Sequence, residues 1–258
     1  MEIFQMRLKK LKRSLLMKFN WNKITIIMAL ILSGLAFYSF NKKNENRLAT
    51  GLDISILPIK DSYLSKDSIR SILNPFLGDE KKSIDLNLIE NLIDNNSYVD
   101  KSQVSLSFSG KLVLKINQKT PVGRIISKNE MFYVDKDLRK MDLSKHQSAR
   151  VPTVMGFENQ ISRSYLKKVF ELINDDAFLK QNISKIIINS PNSISLKLRA
   201  YDIMVNMGDE RNLKNKFLKL RAFYTMANAK KKLIEFKQIN LQFDDQVVGV
   251  KNNSYVKK

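Results

Sequence analysis

The chain has 258 residues, 45 basic against 25 acidic, and a formal net charge of +20 with no cysteine and one histidine. That composition excludes disulfide stabilisation and Cys-based nucleophilic or metal chemistry, and a single histidine leaves a Ser-His site without support. A hydrophobic share of 43% is enough for a packed core.

In chain order, the first 23 residues form a basic tail carrying Arg7, Lys9, Lys10, Lys12, Arg13, Lys18 and Lys23 against Glu2. Seventeen uncharged residues follow, Ile24–Phe40, with Leu30 and Leu35 in the middle and Lys42 and Lys43 behind. As a helix this run spans about 26 Å, close to a hydrocarbon core of about 30 Å. Lysine stems make up the difference. Trp21 and Tyr38 lie near its two ends, where amphipathic rings favour the interface. Seven basic residues before the run against Lys42, Lys43 and Arg47 after it predict a cytoplasmic N-terminus. A cleaved signal peptide is the rival, with Gly34-Leu35-Ala36 as its weak cleavage site, but apolar character continues through Phe37, Tyr38 and Phe40. A buried core helix is opposed by the flanking lysines. The reading adopted is a retained membrane anchor with Ile24, Leu30, Leu35 and Phe40 facing lipid.

Residues 41–47 read as a linker. Leu52–Ile59 alternates as a strand, and Pro58 marks its end or an edge. Ser65 caps a short helix with Ile69, Ile72 and Leu73 on one face, ended by Asn74-Pro75. Asp85 caps a second with Leu86, Ile89, Leu92 and Ile93, ended by Asn95-Asn96. Val99–Phe108 and Leu112–Ile116 form a hairpin about the Ser109-Gly110 turn. The order is β-α-α-β-β over 48–119. Beyond Pro121 the pattern gives short strands at 122–126, Met131–Asp135 and Arg150–Met155, and a helix at Ser164–Ile173. Strands follow at Ile183–Ile188, Ser193–Leu198 and Asp202–Met207. A long amphipathic helix at Leu213–Ala229 carries the stripe Leu213, Phe217, Leu220, Phe223, Tyr224. The last strand is Gln238–Phe243, with Val247–Val250 close behind, which closes the second module, 120–251, and 252–258 reads as a flexible tail. The fold class is α+β: one transmembrane helix, a small β-α-α-β-β unit, then a larger mixed β-sheet domain with flanking helices.

Several fragments carry a family resemblance. Val113-Leu114-Lys115-Ile116 running into Lys119-Thr120-Pro121-Val122-Gly123-Arg124 resembles the "V-x-V-x-E-R-x-P-x-A" passage of the bacterial cell-division family FtsQ/DivIB. Phe132-Tyr133-Val134-Asp135-Lys136-Asp137 resembles its "Y-Y-V-D-x-x-G" hairpin, Arg150-Val151-Pro152-Thr153-Val154-Met155-Gly156 its "L-P-x-I-x-G", and Val205-Asn206-Met207-Gly208 its "V-x-L-G". Ile239-Asn240-Leu241-Gln242-Phe243 resembles "I-D-L-R-Y". Gln118 and Lys119 depart from the Glu-Arg pair, Leu138 from the glycine, Gln242 from the arginine and Phe243 from the tyrosine, so a partner contact at 242–243 is less polar. The resemblance implies a POTRA (polypeptide-transport-associated) domain at 48–119 and a β domain at 120–251. It also implies a single-pass, type II protein of the inner membrane with periplasmic C-terminal domains, gathered at mid-cell during division. Its partners would be FtsB/FtsL-like proteins, other divisome membrane proteins and the lipid bilayer, and its role the control of septal peptidoglycan synthesis.

No nucleotide loop, metal-ligand spacing or nucleophile elbow is present in the sequence, so no enzyme, cofactor, metal or catalytic residue is expected. Asp175-Asp176 and Asp244-Asp245 read as solvated pairs, and His146 as a surface-loop residue. Three readings of the basic stretch 211–237 stand: a solvated helix face, an anionic lipid or acidic-partner contact, or a nucleic-acid contact. Its expected position outside the cytoplasm weighs against the last. The expected partner surface is an edge at Ile239–Phe243, where a strand can be added. Leu241, Phe243, Val247 and Val248 would supply apolar contacts there, and Lys216 and Lys219 attract acidic groups. The alternative function is a POTRA-containing receptor for export or outer-membrane protein assembly.

Overall fold

A computed structural model describes residues 5–8, 10, 21–45, 47–58, 62–128 and 130–252. Helix α1, Trp21–Glu45, contains the apolar run and extends it: residues 23–44 are long and apolar enough to cross a membrane. Ile24 is partly covered, and Leu30, Leu35 and Phe40 are exposed on it. Most of the basic tail before it, Ile59 and residues 253–258 lie outside the described residues.

The first unit is a three-stranded sheet of β1 (Gly51–Leu57), β2 (Val99–Leu106) and β3 (Lys111–Gln118), in the order β1-β3-β2. β1 runs parallel to β3, and β2 antiparallel to it. Two helices cross between the parallel strands: α2, Lys66–Leu73, and α3, Leu86–Asp94. Both start where a side chain satisfies the first free N–H groups. Ser65 accepts from the Asp67 N–H, and Asp85 accepts from those of Asn87 and Leu88. Their apolar stripes, Ile69 and Leu73, Ile89 and Ile93, are wholly buried against Leu112, Leu114 and Ile116. Each such side chain contributes roughly 1.5–3 kcal/mol of burial. β2 stops at Leu106, and Phe108 lies in the turn, 57% exposed, rather than continuing the buried alternation.

The second unit is a nine-stranded mixed sheet in the order β12-β11-β10-β9-β8-β7-β4-β5-β6. Its strands are β4 (Gly123–Ile126), β5 (Met131–Val134), β6 (Lys140–Met141), β7 (Thr153–Met155), β8 (Ile183–Ser190) and β9 (Ser193–Leu198), then β10 (Met204–Gly208), β11 (Phe236–Asn240) and β12 (Val248–Lys251). β4–β7, β7–β8 and β10–β11 are parallel, and the connections that make two of them parallel carry the helices. Those are α4 (Arg163–Asp175), α5 (Ala177–Asn182) and α6 (Leu213–Ala229). Tyr165, Val169 and Phe170 of α4 share one core with Phe217 and Leu220 of α6 and with the sheet. β6 and α5 have no counterpart in the sequence reading. Asp176, read there as half of a solvated acid pair, is the α5 cap: its carboxylate accepts from the Phe178 and Leu179 N–H groups and lies 3.1 Å from the Arg221 guanidinium. His146 is exposed, as expected.

The two units meet through polar contacts. Arg139 contacts both Asp135 on its own hairpin and Asp100 on β2. Ser97 donates to Asp142, and Ser144 donates to the Tyr63 carbonyl.

Candidate interaction surface

The expected edge at Ile239–Phe243 is corrected by the sheet order. β11 ends at Asn240 and is paired on both sides, with β10 and with β12. Leu241 is fully buried, and its N–H donates to the Asn206 carbonyl at 2.9 Å. It is a core residue that fastens the end of β11, not a contact for a partner. The open edge belongs to β12, whose one strand neighbour among the described residues is β11.

Alternation fixes which way β12 turns its backbone. The Leu241 N–H points to β10, so Asn240 and Gln238 turn theirs toward β12. These residues pair with Val248 and Val250. The Asn252 N–H returns to the Glu235 carbonyl at 2.7 Å, in phase with that pattern. Gly249 and Lys251 therefore point their N–H groups away from the sheet. Gly249 sits where nothing larger fits: a Cβ there would come within 2.5 Å of the Phe236 ring and 3.2 Å of Phe223 on α6. Those two rings pack edge to face at 5.1 Å, and the close approach holds β12 against the core. Lys251 ties the far end of the strand to Glu235 at 2.7 Å, and the ammonium holds that carboxyl below its usual range.

Val248 is half-buried and Val250 exposed. Val247 packs at the margin of the main core. Phe243, in the loop before β12, is 47% exposed, so the aromatic is displayed rather than buried.

The two lysines expected to attract acidic groups have other partners. Lys216 is buried, and its ammonium donates to the Asp209 carbonyl and carboxylate at 2.9 and 3.0 Å. Burial opposes ionisation of Asp209, but the hydrogen bonds from Lys216 and Arg211 outweigh it and hold the carboxyl below its ordinary value. Lys219 donates to the carbonyls of Phe243 and Asp244. It is a staple from α6 that positions the Phe243 loop. Asp244 is tied in turn by the Asn212 amide at 3.3 Å. Of the basic stretch, Arg211, Lys216 and Arg221 are ion-paired within the chain. Lys214, Lys230–Lys232 and Lys237 are exposed. The Gly208 turn ahead of α6, at φ +64°, is fixed by the Tyr165 hydroxyl donating to the Gly208 carbonyl at 2.7 Å. Burial raises the pKa of that hydroxyl, which keeps it a donor.

The sequence pattern ends in a strand at Gln238–Phe243, whereas the outer strand of the sheet is β12. Hydrophobic alternation runs on through Leu241 and Phe243, and nothing in that pattern marks Asn240 as the last paired residue. The spacing of Val248 and Val250 around Gly249 is the signal that identifies the outer strand.

Among the described residues no group of three His, Asp or Glu side chains gathers as a metal site. No curated protein matches the chain. The family model described as FtsQ/DivIB, C-terminal related, matches residues 120–250, which is the nine-stranded sheet and its helices from Pro121 to Val250. A match over half of the sequence, on the whole of the unit that carries the open β12 edge, settles the kinship: the chain belongs to the FtsQ/DivIB-related family of cell-division proteins.

Proposed function

We propose that the protein is a membrane-anchored scaffold of the division machinery that captures a partner strand on β12. The observation that carries this reading is the outward pair of N–H groups at Gly249 and Lys251, on a short strand flanked by exposed Val250 and Phe243. A partner strand would take up those donors, with the apolar side chains setting its register. FtsB/FtsL-like proteins, single-pass and coiled-coil, are the partners the kinship points to. Through them the scaffold would influence septal peptidoglycan synthesis without chemistry of its own.

The rest of the reading follows from position. α1 spans the inner membrane with the N-terminus in the cytoplasm, and the units at 48–119 and 120–251 stand on the periplasmic side. The separate cores of the two units support that division. The β-α-α-β-β order and the β1-β3-β2 sheet support reading the first as a POTRA domain.

The test is amide exchange on the full chain with and without an FtsB-like partner. Gly249 and Lys251 should exchange rapidly alone and become protected in the complex. Unchanged exchange at both, in a complex that still forms, removes β12 as the site. Fluorescent fusions should concentrate at mid-cell, and a uniform membrane distribution would argue against the division role.

A further inference from the structure

The tip of the β2–β3 hairpin rests against the end of the membrane helix. The Phe108 ring stacks on Phe40 with centroids 5.5 Å apart and planes 20° from parallel. Two cations flank the same ring: the Arg47 guanidinium at 5.6 Å and the Lys81 ammonium at 5.8 Å. Lys81 also donates to the Phe108 carbonyl at 3.1 Å and to the Asn44 side chain at 3.0 Å, joining the hairpin to the helix end.

The turn holds its shape. Gly110 adopts φ +89° and accepts from the Thr50 N–H, and a Cβ there would lie 2.7 Å from the Leu48 carbonyl oxygen. Phe108 does nothing for the core of its own unit, where it is not among the packed side chains. An aromatic held rigidly outward at a turn needs a different account.

Depth supplies one. Phe40 lies about 10 Å from the middle of the 23–44 span, inside a hydrocarbon half-thickness of about 15 Å. A ring stacked on it lies at the level where aromatic side chains favour the membrane interface. Arg47 and Lys81 flank it, Lys42 and Lys43 lie in the last turn of the same helix, and none of the four forms an ion pair among the described residues. Of the neighbouring acids, Glu80 is taken by Lys82 at 2.8 Å, and Glu45 follows in the helix sequence.

We propose that this hairpin tip is a second membrane contact, in which Phe108 enters the interface beside Phe40 while Lys42, Lys43, Arg47 and Lys81 bind the phosphate of an anionic phospholipid headgroup. The inference rests on α1 crossing the bilayer, and not on partner capture at β12. Two attachments would hold the first unit at one fixed angle to the membrane, where a tether at α1 alone would let it swing. The occupant is a headgroup in the bilayer rather than free phosphate, because the cations gather about an aromatic pair at the end of a helix of membrane-crossing length.

The absence of cysteine allows single labels on the full chain. Ser109→Cys, exposed in the turn, carries an environment-sensitive fluorophore and leaves Phe108 in place; Asn192→Cys, in the turn between β8 and β9, is the control. In vesicles containing phosphatidylglycerol, headgroup-region nitroxide lipids should quench the label at 109 about threefold more than at 192. Phe108→Ser and the charge reversal Lys42→Glu/Lys43→Glu should each remove the difference; the second leaves the hairpin untouched. Equal quenching at 109 and 192 overturns the proposal. Full quenching at 109 in phosphatidylcholine alone, or its loss on adding inorganic phosphate, overturns the headgroup assignment. Protease protection of the same vesicles reports on the α1 span independently.

Discussion

The two ends of the nine-stranded sheet are finished in opposite ways. At one end β6 is two residues long, Met141 is fully buried, and the chain beyond it is bonded to the first unit through Asp142 and Ser144. Arg139 reaches across to Asp100 on β2. At the other end β12 is four residues long, and two of its N–H groups have nothing in the sheet to bond. An unpaired edge invites association, and proteins usually blunt it. Here one edge is closed by the protein's own first unit, while the other is left short, held flat by Gly249 and fringed with exposed Val250 and Phe243. If β12 captures a partner as proposed, the difference separates stability from recognition within a single sheet.

The sharpest way to break that comparison is a proline at the open end. Lys251→Pro removes an outward donor without touching the pairing of Val250 or Val248. It also removes the exposed Glu235 pair, which contributes little. Capture of an FtsB-like partner should fall by about 100-fold, as loss of a central interface element does. The thermal midpoint should move by no more than about 4 °C. Unchanged affinity by titration calorimetry would place the partner elsewhere. Leu241→Pro tests nothing of the kind, because it removes a buried hydrogen bond to β10 and damages the fold.

A smaller effect belongs to Phe243→Ala. The ring is about half exposed and Lys219 holds only the backbone carbonyl, so truncation costs no cavity. Binding should weaken about tenfold, in the range of a single aromatic anchor. Midpoints in urea should match those of the native chain. A loss of stability with full binding would make Phe243 a packing residue.

At the closed end the expectation reverses. Arg139→Ala leaves the buried Asp135 carboxylate with its two backbone donors but without the guanidinium, and it cuts the link to Asp100. Because Arg139 and Asp100 are both over 40% exposed, the ion pair contributes little. The buried acceptor accounts for most of a loss of about 1–2 kcal/mol. Denaturant melts should show that loss while partner affinity stays unchanged. A fall in affinity would mean that the two ends are coupled and that the first unit's attitude governs β12.

Much of this was readable from residue order. The caps at Ser65 and Asp85, the β2–β3 hairpin and the stripe on α6 follow from local rules that tertiary contacts do not override here. β6 escaped because two residues have no period. α5 escaped because its six residues lie between the end of α4 and β8, and Asp175-Asp176 reads as a polar break. The lysines of α6 were misread for a different reason: charge in a sequence carries no burial. Lys216 and Lys219 look alike one turn apart, and only the fold shows one buried against Asp209 and the other stapling a loop.

Acid offers the finest probe of the Asp209–Lys216 pair. Asp209 is ionised in the folded protein below its ordinary pKa of 3.8, since Lys216 and Arg211 hydrogen-bond its charged form. A depressed folded value means that the contribution is whole above the ordinary value and is lost as pH falls through the lower, folded one. With the Asp209 side chain 35% exposed, screening keeps the contribution under about 1 kcal/mol. Asp209→Asn should therefore be less stable than the native chain at neutral pH, and the gap should close as the pH drops below 3.8. Urea melts at neutral and acid pH measure it. Because Lys216 lies one turn before Lys219 on α6, the same acid step should raise amide exchange in the Phe243 loop ahead of the hairpin around Arg139. A gap that persists in acid would assign the loss to the shape of the asparagine rather than to charge, and would detach the Phe243 loop from the Asp209–Lys216 pair.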